Sequence, residues 1–113
     1  MPSVVLELET RDETVIQRLL GGAREMRAGA RSEIRGGGLL VLESADLAAD
    51  PGQPGRYRFL VEFASENGAG VVANTLWTAL HGQGVTLRIA DVAVPVHNGA
   101  IKDALLAAAA TEA

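Results

Sequence analysis

The chain has 113 residues, ten basic and fourteen acidic, for a net charge of −4 and a pI near 5.1. That length is one domain spanning residues 1–113, long enough to hide roughly two-thirds of the unfolded chain's surface in a core. The acidic field opposes phosphate backbones, so no nucleic acid is expected as a partner, and the absence of cysteine excludes disulfides, thiol catalysis and thiolate metal sites.

The first element is "SVVLELE" (Ser3–Glu9), where Val4, Leu6 and Leu8 alternate with Val5, Glu7 and Glu9 as in a half-buried strand. "TRDE" follows, with Thr10 as the expected cap of a helix over 11–27 and Glu13 completing a capping box. Val15, Ile16, Leu19, Leu20, Ala23 and Met26 recur at helical spacing on one face. Gly21-Gly22 cost that helix roughly 1 kcal/mol each relative to Ala, marking a bend or an end. A second strand is expected around Leu39–Glu43, with Gly36–Gly38 as its turn or lead-in, followed by a loop over Ala45–Arg56 that carries two Pro-Gly signals.

"RYRFLVEF" (Arg56–Phe63) alternates again, with Tyr57, Phe59, Val61 and Phe63 on one face. A second helix is expected over 70–82, then a strand over Val85–Ile89 and a short strand ending at Pro95, which confines it to an edge or a strand end. Asn98 is the expected cap of a terminal helix whose Ile101, Ala104, Leu105 and Ala108 share a face. The order β-α-β-β-α-β predicts an α+β fold: a ferredoxin-like (split β-α-β) sandwich with a C-terminal β-hairpin extension and a terminal helix.

"GAGVVA" (Gly68–Ala73) has the form G-x-G-x-x-A, and Asp91 lies 23 residues after Gly68, where a dinucleotide-binding unit places its ribose-binding acid. Over about 24 residues this stretch resembles the start of NAD- or FAD-binding Rossmann domains. Gly68, Gly70 and Asp91 are therefore the candidate ligand-binding residues of a small-ligand or nucleotide sensor. Against this, the polar "ASEN" separates the strand from Gly68, and Arg56, Arg58 and Glu62 occupy a face that a central parallel strand would make apolar. The chain also has no room for a second mononucleotide half. The favoured expectation is a turn at Asn67-Gly68 and a helix starting at Gly70, with no cofactor.

His81 and His97, the only histidines, lack a partner at metal-ligand spacing, and no serine sits in a nucleophile-elbow context. Glu7 and Glu9 resemble a catalytic carboxylate pair, but alternation places them on the solvent side of a strand. Arg24, Arg27, Arg31 and Arg35 form a local basic stretch whose excess over nearby acids is small. The N-terminus carries no basic, apolar leader pattern, and the uncharged stretch Asn67–Leu87 is too polar for a membrane span. The cytoplasm is the expected compartment, and nine Arg against the single Lys102 point to a GC-rich bacterial gene.

The second helix holds the main functional expectation. Val72, Leu76, Ala79 and Leu80 supply its core face, while Asn74, Thr75, Thr78 and His81 form an outer face without formal charge beside Trp77. Interface cores are depleted in charge and rich in Trp, so Trp77, Asn74, Thr78 and His81 are the candidate contact residues for a protein partner or a second copy.

The stretch "VTLRIADVAVPVHNGAIKDALLAA", with the Ala/Gly-flanked helix before it, resembles the small effector-associated components of bacterial conflict systems called effector-associated constant component. The resemblance covers about the last 45 residues and rests on a hairpin followed by a helix, with Gly99 and Ala100 at a helix start that is more acidic in that group. It implies a non-catalytic adaptor or assembly role beside a separate effector, and it carries no site residues over. The expected function is a non-enzymatic interaction or assembly module.

Overall fold

The computed structural model describes residues 3–20, 28–46 and 53–112. They form β1 (Ser3–Thr10), α1 (Glu13–Leu19), β2 (Arg31–Ile34), β3 (Gly38–Asp46), β4 (Gly55–Phe63), α2 (Glu66–Leu80), β5 (Thr86–Ile89), β6 (Val92–Val94) and α3 (Asn98–Glu112). All six strands join one sheet in the order β2-β3-β4-β1-β5-β6, and every pairing is antiparallel. The architecture is α+β, as the pattern of elements predicted.

The alternating patterns in β1 and β4 dictate which side of the sheet is dry. Val4, Leu6 and Leu8 point to the same side as Tyr57, Phe59, Val61 and Phe63, and all seven are buried. Leu40 and Leu42 from β3 extend that surface on one flank, and Leu87 and Ile89 from β5 on the other. The helices close it: α1 contributes Val15, Ile16 and Leu19, α2 contributes Val72, Leu76 and Leu80, and α3 contributes Ile101 and Leu105. Each fully buried side chain of this size is worth roughly 1.5–3 kcal/mol of transfer free energy. No buried side-chain nitrogen or oxygen among the described residues lacks a hydrogen-bond partner.

Several boundaries depart from the sequence-based expectations. The cap of α1 is Asp12, not Thr10: its carboxylate accepts from the Thr14 amide at 3.0 Å and from the Thr14 hydroxyl at 2.6 Å. Those two bonds, the hydroxyl first, hold the Asp12 carboxyl below the usual carboxylate range. Thr10 instead accepts from the Asp12 amide and is buried. The expected continuation of the first helix past Leu20, with Gly21, Gly22, Ala23 and Met26, and the basic residues Arg24 and Arg27, lies outside the described residues. So do residues 47–52 of the expected Pro-Gly loop, whose ends Ala45–Asp46 and Gly55–Arg56 belong to β3 and β4 instead.

The glycine-rich lead-in to the second expected strand is the turn of a hairpin, because Arg31–Ile34 forms the additional strand β2 against β3. Helix α2 begins at Glu66 and ends at Leu80, not over 70–82, and Ser65 caps it by accepting from the Gly68 amide at 3.1 Å. Asn98 is the first residue of α3, and its side chain donates to Asn74 Oδ1 at 3.2 Å rather than closing its own helix end.

The start of α3 runs antiparallel to the first half of α2. Near the start of α2, Lys102 Nζ lies 3.8 Å from Glu66 Oε1, and one turn on, Gly70 faces the same lysine. At the middle of α2, Asn74 meets Asn98, the first residue of α3.

Gly68 is a close-approach position, since a Cβ there would sit 2.6 Å from the Gly37 carbonyl oxygen in the β2–β3 turn. At Gly70 the nearest atom is the flexible Lys102 Cε at 3.6 Å. Both lie inside a helix, where Gly→Ala ordinarily gains about 0.5–1 kcal/mol. Gly70→Ala is therefore expected to raise the urea midpoint, whereas Gly68→Ala lowers it by pushing α2 off the hairpin. Equal shifts of the same sign would contradict this packing.

Candidate functional site

The residues singled out in the sequence do not converge on one site. Gly68 and Gly70 lie inside α2, so "GAGVVA" is helix rather than a phosphate-binding turn. Asp91 tips the β5–β6 hairpin at the other edge of the sheet, while Gly68 packs on the β2–β3 hairpin. Ala90 and Asp91 both have positive φ, 50° and 65°, as a two-residue hairpin loop requires. Asp91 accepts from the Arg88 guanidinium through its backbone carbonyl at 2.8 Å. The parallel strand and tight glycine turn of a dinucleotide unit are absent among the described residues, and Gly68 and Asp91 are not brought together.

The four residues expected to form an interface do share one region of α2. Trp77 is half-buried against the core, and its ring stacks on His81 with centroids 4.3 Å apart and planes 10° apart. Asn74, Thr78 and His81 are exposed. Their polar groups are largely engaged within the chain. Thr78 donates to the Asn74 carbonyl at 2.8 Å, His81 Nδ1 lies 2.7 Å from the Trp77 carbonyl, and Asn74 accepts from Asn98.

The opposite side of the sheet is a different surface. Outward-pointing side chains from β1 and β4, together with those of β2, β3 and β5, are all exposed or half-buried, so among the described residues no helix packs over this face. Its chemistry is arranged in stripes, one per strand. β1 presents Glu7 and Glu9, β4 presents Arg56 and Arg58, β3 presents Glu43 and Asp46, and β5 presents Arg88. Arg56 Nε lies 2.9 Å from Glu9 Oε1, and Arg58 Nε lies 3.1 Å from Glu43 Oε2, while an Arg58 terminal nitrogen stands 3.8 Å from Glu7 Oε1. A β-bulge between Leu42 and Ser44 brings Ser44 and Asp46 onto the same face as Glu43.

Beside the charged rows, Leu39, Val41, Leu60 and Val5 form a half-buried apolar row across β3, β4 and β1. A shallow cleft of about 270 Å³ opens at the charged end, lined by Glu7, Glu9, Asp46, Arg56, Arg58 and Arg88 among others. Of these, the sequence marked Glu7 and Glu9 as a carboxylate pair and Arg56 and Arg58 as the polar face of their strand, but the stripe pattern exists only once the strands are in register.

Among the described residues no group of three or more His, Cys, Asp or Glu is placed to hold a metal ion, and no helix is long and apolar enough to cross a membrane. Comparison with protein-family models, with curated proteins and with solved structures finds no match to this chain. Architecture alone defines its class: an α+β domain on a six-stranded antiparallel sheet, with one face covered by helices and one bare.

Tyr57, the only tyrosine, points away from the cleft into the covered side of the sheet and is buried. Burial, with a smaller repulsion from Glu13, pushes its phenol above the ordinary value of 10.0. The folded chain thus holds this proton more tightly than the unfolded chain. The stability it contributes is complete below pH 10.0 and is lost as pH rises through the folded value. Tyrosinate absorbance is expected to titrate above pH 10.0, and Tyr57→Phe to lessen the alkaline loss of stability. A midpoint at or below that pH would count against the buried phenol.

Proposed function

We propose that this chain is a non-enzymatic assembly module that self-associates through the bare face of its sheet. The observation that carries the reading is that face itself, an apolar row bordered by ion pairs on a sheet whose other side is packed under helices. Six strands at ~4.8 Å spacing and strand lengths of ~3.3 Å per residue give a plane of roughly 600 Å², before side-chain relief is counted. A standard interface buries roughly 800 Å² per partner, so the face is of the smaller size at which association is weak and reversible. An assembly role beside a separate effector, as the conflict-system resemblance implies, fits the same reading.

The finer topology is part of this proposal. The order β3-β4-β1-β5, with α1 joining β1 to β3 and α2 joining β4 to β5, supports a split-βαβ ferredoxin-like core. The β2 strand and the β5–β6 hairpin extend that core at its two edges.

The outer face of α2 is the second candidate surface, favoured by its lack of formal charge around the Trp77–His81 stack. Asn74, Thr78 and His81 hold partners within the chain, as the charges of the sheet face do, and the sheet ranks first because it adds the apolar row of Leu39, Val41, Leu60 and Val5.

Sedimentation velocity over the micromolar range separates the two surfaces. The wild-type chain is expected to associate reversibly, and Leu60→Lys to return it to an 11.8 kDa monomer while keeping its melting temperature. Thr78→Arg is expected to leave association intact. Loss of association with Thr78→Arg but not with Leu60→Lys moves the interface to α2, and a wild-type chain that stays monomeric at about 100 µM defeats the assembly reading.

A further inference from the structure

Building on the assembly reading, we propose that two copies of this chain meet sheet to sheet about a two-fold axis lying in the interface, parallel to the strands and between β1 and β4. The charge stripes specify this orientation. Outward residues on β4 and β1 face each other within one chain as Arg56–Glu9, Arg58–Glu7, Leu60–Val5 and Glu62–Ser3. A two-fold along the strands between them carries β1 of the second copy over β4 of the first. Arg58 then lies under the partner copy's Glu7, Arg56 under Glu9, Leu60 under Val5, and Glu62 under Ser3. Every one of these crossings is charge-opposite, apolar on apolar, or acid on hydroxyl.

The outer stripes follow the same rule. The axis sets β5 of one copy over β3 of the other, bringing the basic Arg88 above the acidic Glu43 stripe. An axis running across the strands at the charged rows instead lays each strand over its own counterpart, so Arg56 and Arg58 of β4 meet arginines and Glu7 and Glu9 of β1 meet glutamates. An isologous interface makes each such contact twice, and like charges set face to face are strongly disfavoured. The alternation acid, base, acid, base over β3, β4, β1 and β5 is thus self-complementary about an axis along the strands and self-repelling about one that crosses them at the charged rows.

The charges are also placed where they can act between copies. The Arg58 and Glu7 side chains are 48% and 40% exposed; Arg58 pairs with Glu43 at 3.1 Å and stands 3.8 Å from Glu7, and the remaining donors of its guanidinium and the Glu7 carboxylate keep capacity for a partner on another copy. Packed sheets stand ~10 Å apart, a gap that Arg and Glu span from opposite sides.

Charge-reversed chains test the orientation. In a dimer of Arg58→Glu chains, both symmetry-related crossings set an acid over the partner copy's Glu7. In a dimer of Glu7→Arg chains, both set a base over Arg58. Each variant is expected to self-associate at least about tenfold more weakly than the wild type, as like-charge contacts do. An equimolar mixture of the two variants restores opposite charges at both crossings between positions 58 and 7, and is expected to associate about as tightly as the wild type. Within each chain those two positions still carry like charges, so recovery on mixing has no intramolecular source. If either variant fails to fold, Arg56→Glu mixed with Glu9→Arg repeats the experiment one row away. A mixture that associates no better than its components, while Leu60→Lys still dissociates the wild type, overturns this orientation and leaves the assembly reading standing. A monomeric wild type defeats the assembly reading itself.

Discussion

β1 is the strand on which the remaining structure depends. It is paired along all eight residues to β4 and along four to β5, so it fixes the positions of both flanks of the sheet. Its alternation of apolar and polar residues makes that placement unambiguous. A slip of one residue would turn Val4, Leu6 and Leu8 to water and bury Glu7 and Glu9, each an unpaired charge in the core. The helices pack where this decision sends the apolar side chains, and α1 and α2 each cross the covered face to deliver the next strand. The chemistry of the bare face is set by the same decision, since whatever is not buried by β1 and β4 is presented outward.

Among the described residues three helices cover one side of six strands, and that imbalance shapes the protein's surface. α2 spans the β2, β3 and β4 flank and α3 the β1, β5 and β6 flank, with the Lys102–Glu66 and Asn98–Asn74 contacts holding them side by side. Gly68 lets α2 settle onto the β2–β3 turn, so a glycine that mimics a cofactor fingerprint acts in helix packing instead. Similarly, Asp91 occupies a positive-φ loop position that short polar residues tolerate, which explains an acid at that spacing without any ribose.

How much of this was legible in the sequence varies with how local each signal is. The strands β1 and β4 and the core faces of α2 and α3 were readable because their periodicity depends on adjacent residues only. β2 was not, since of Arg31, Ser32, Glu33 and Ile34 only the last is buried, and the strand exists through its pairing with β3. The start of α2 was misplaced because Asn67 and Gly68 carry turn propensity, which Ser65 capping and packing on Gly37 override. The uncharged face of α2 was visible, but its internal hydrogen bonds were not. The stripes of the bare face were invisible for a different reason. Glu7 and Arg58 are far apart in the chain, and only an eight-residue register turns two alternating strands into a row of opposite charges.

That row also explains why a bare face of this kind need not be mainly apolar. A wide apolar sheet face would associate in many registers and with many partners, and its exposure during folding would favour aggregation. Surface ion pairs contribute little to the stability of a single chain, typically about 0–1 kcal/mol each, so the ladder of Glu9, Arg56, Glu7, Arg58 and Glu43 is a weak reason for the fold to hold together. Its larger consequence lies in discrimination. A short apolar row of Leu39, Val41, Leu60 and Val5 supplies attraction in any orientation, whereas striped charges penalise every orientation but those that interleave opposite signs. Affinity and specificity are thus assigned to different rows of the same sheet, and a reversal at one arginine changes the choice of partner more than it changes the fold.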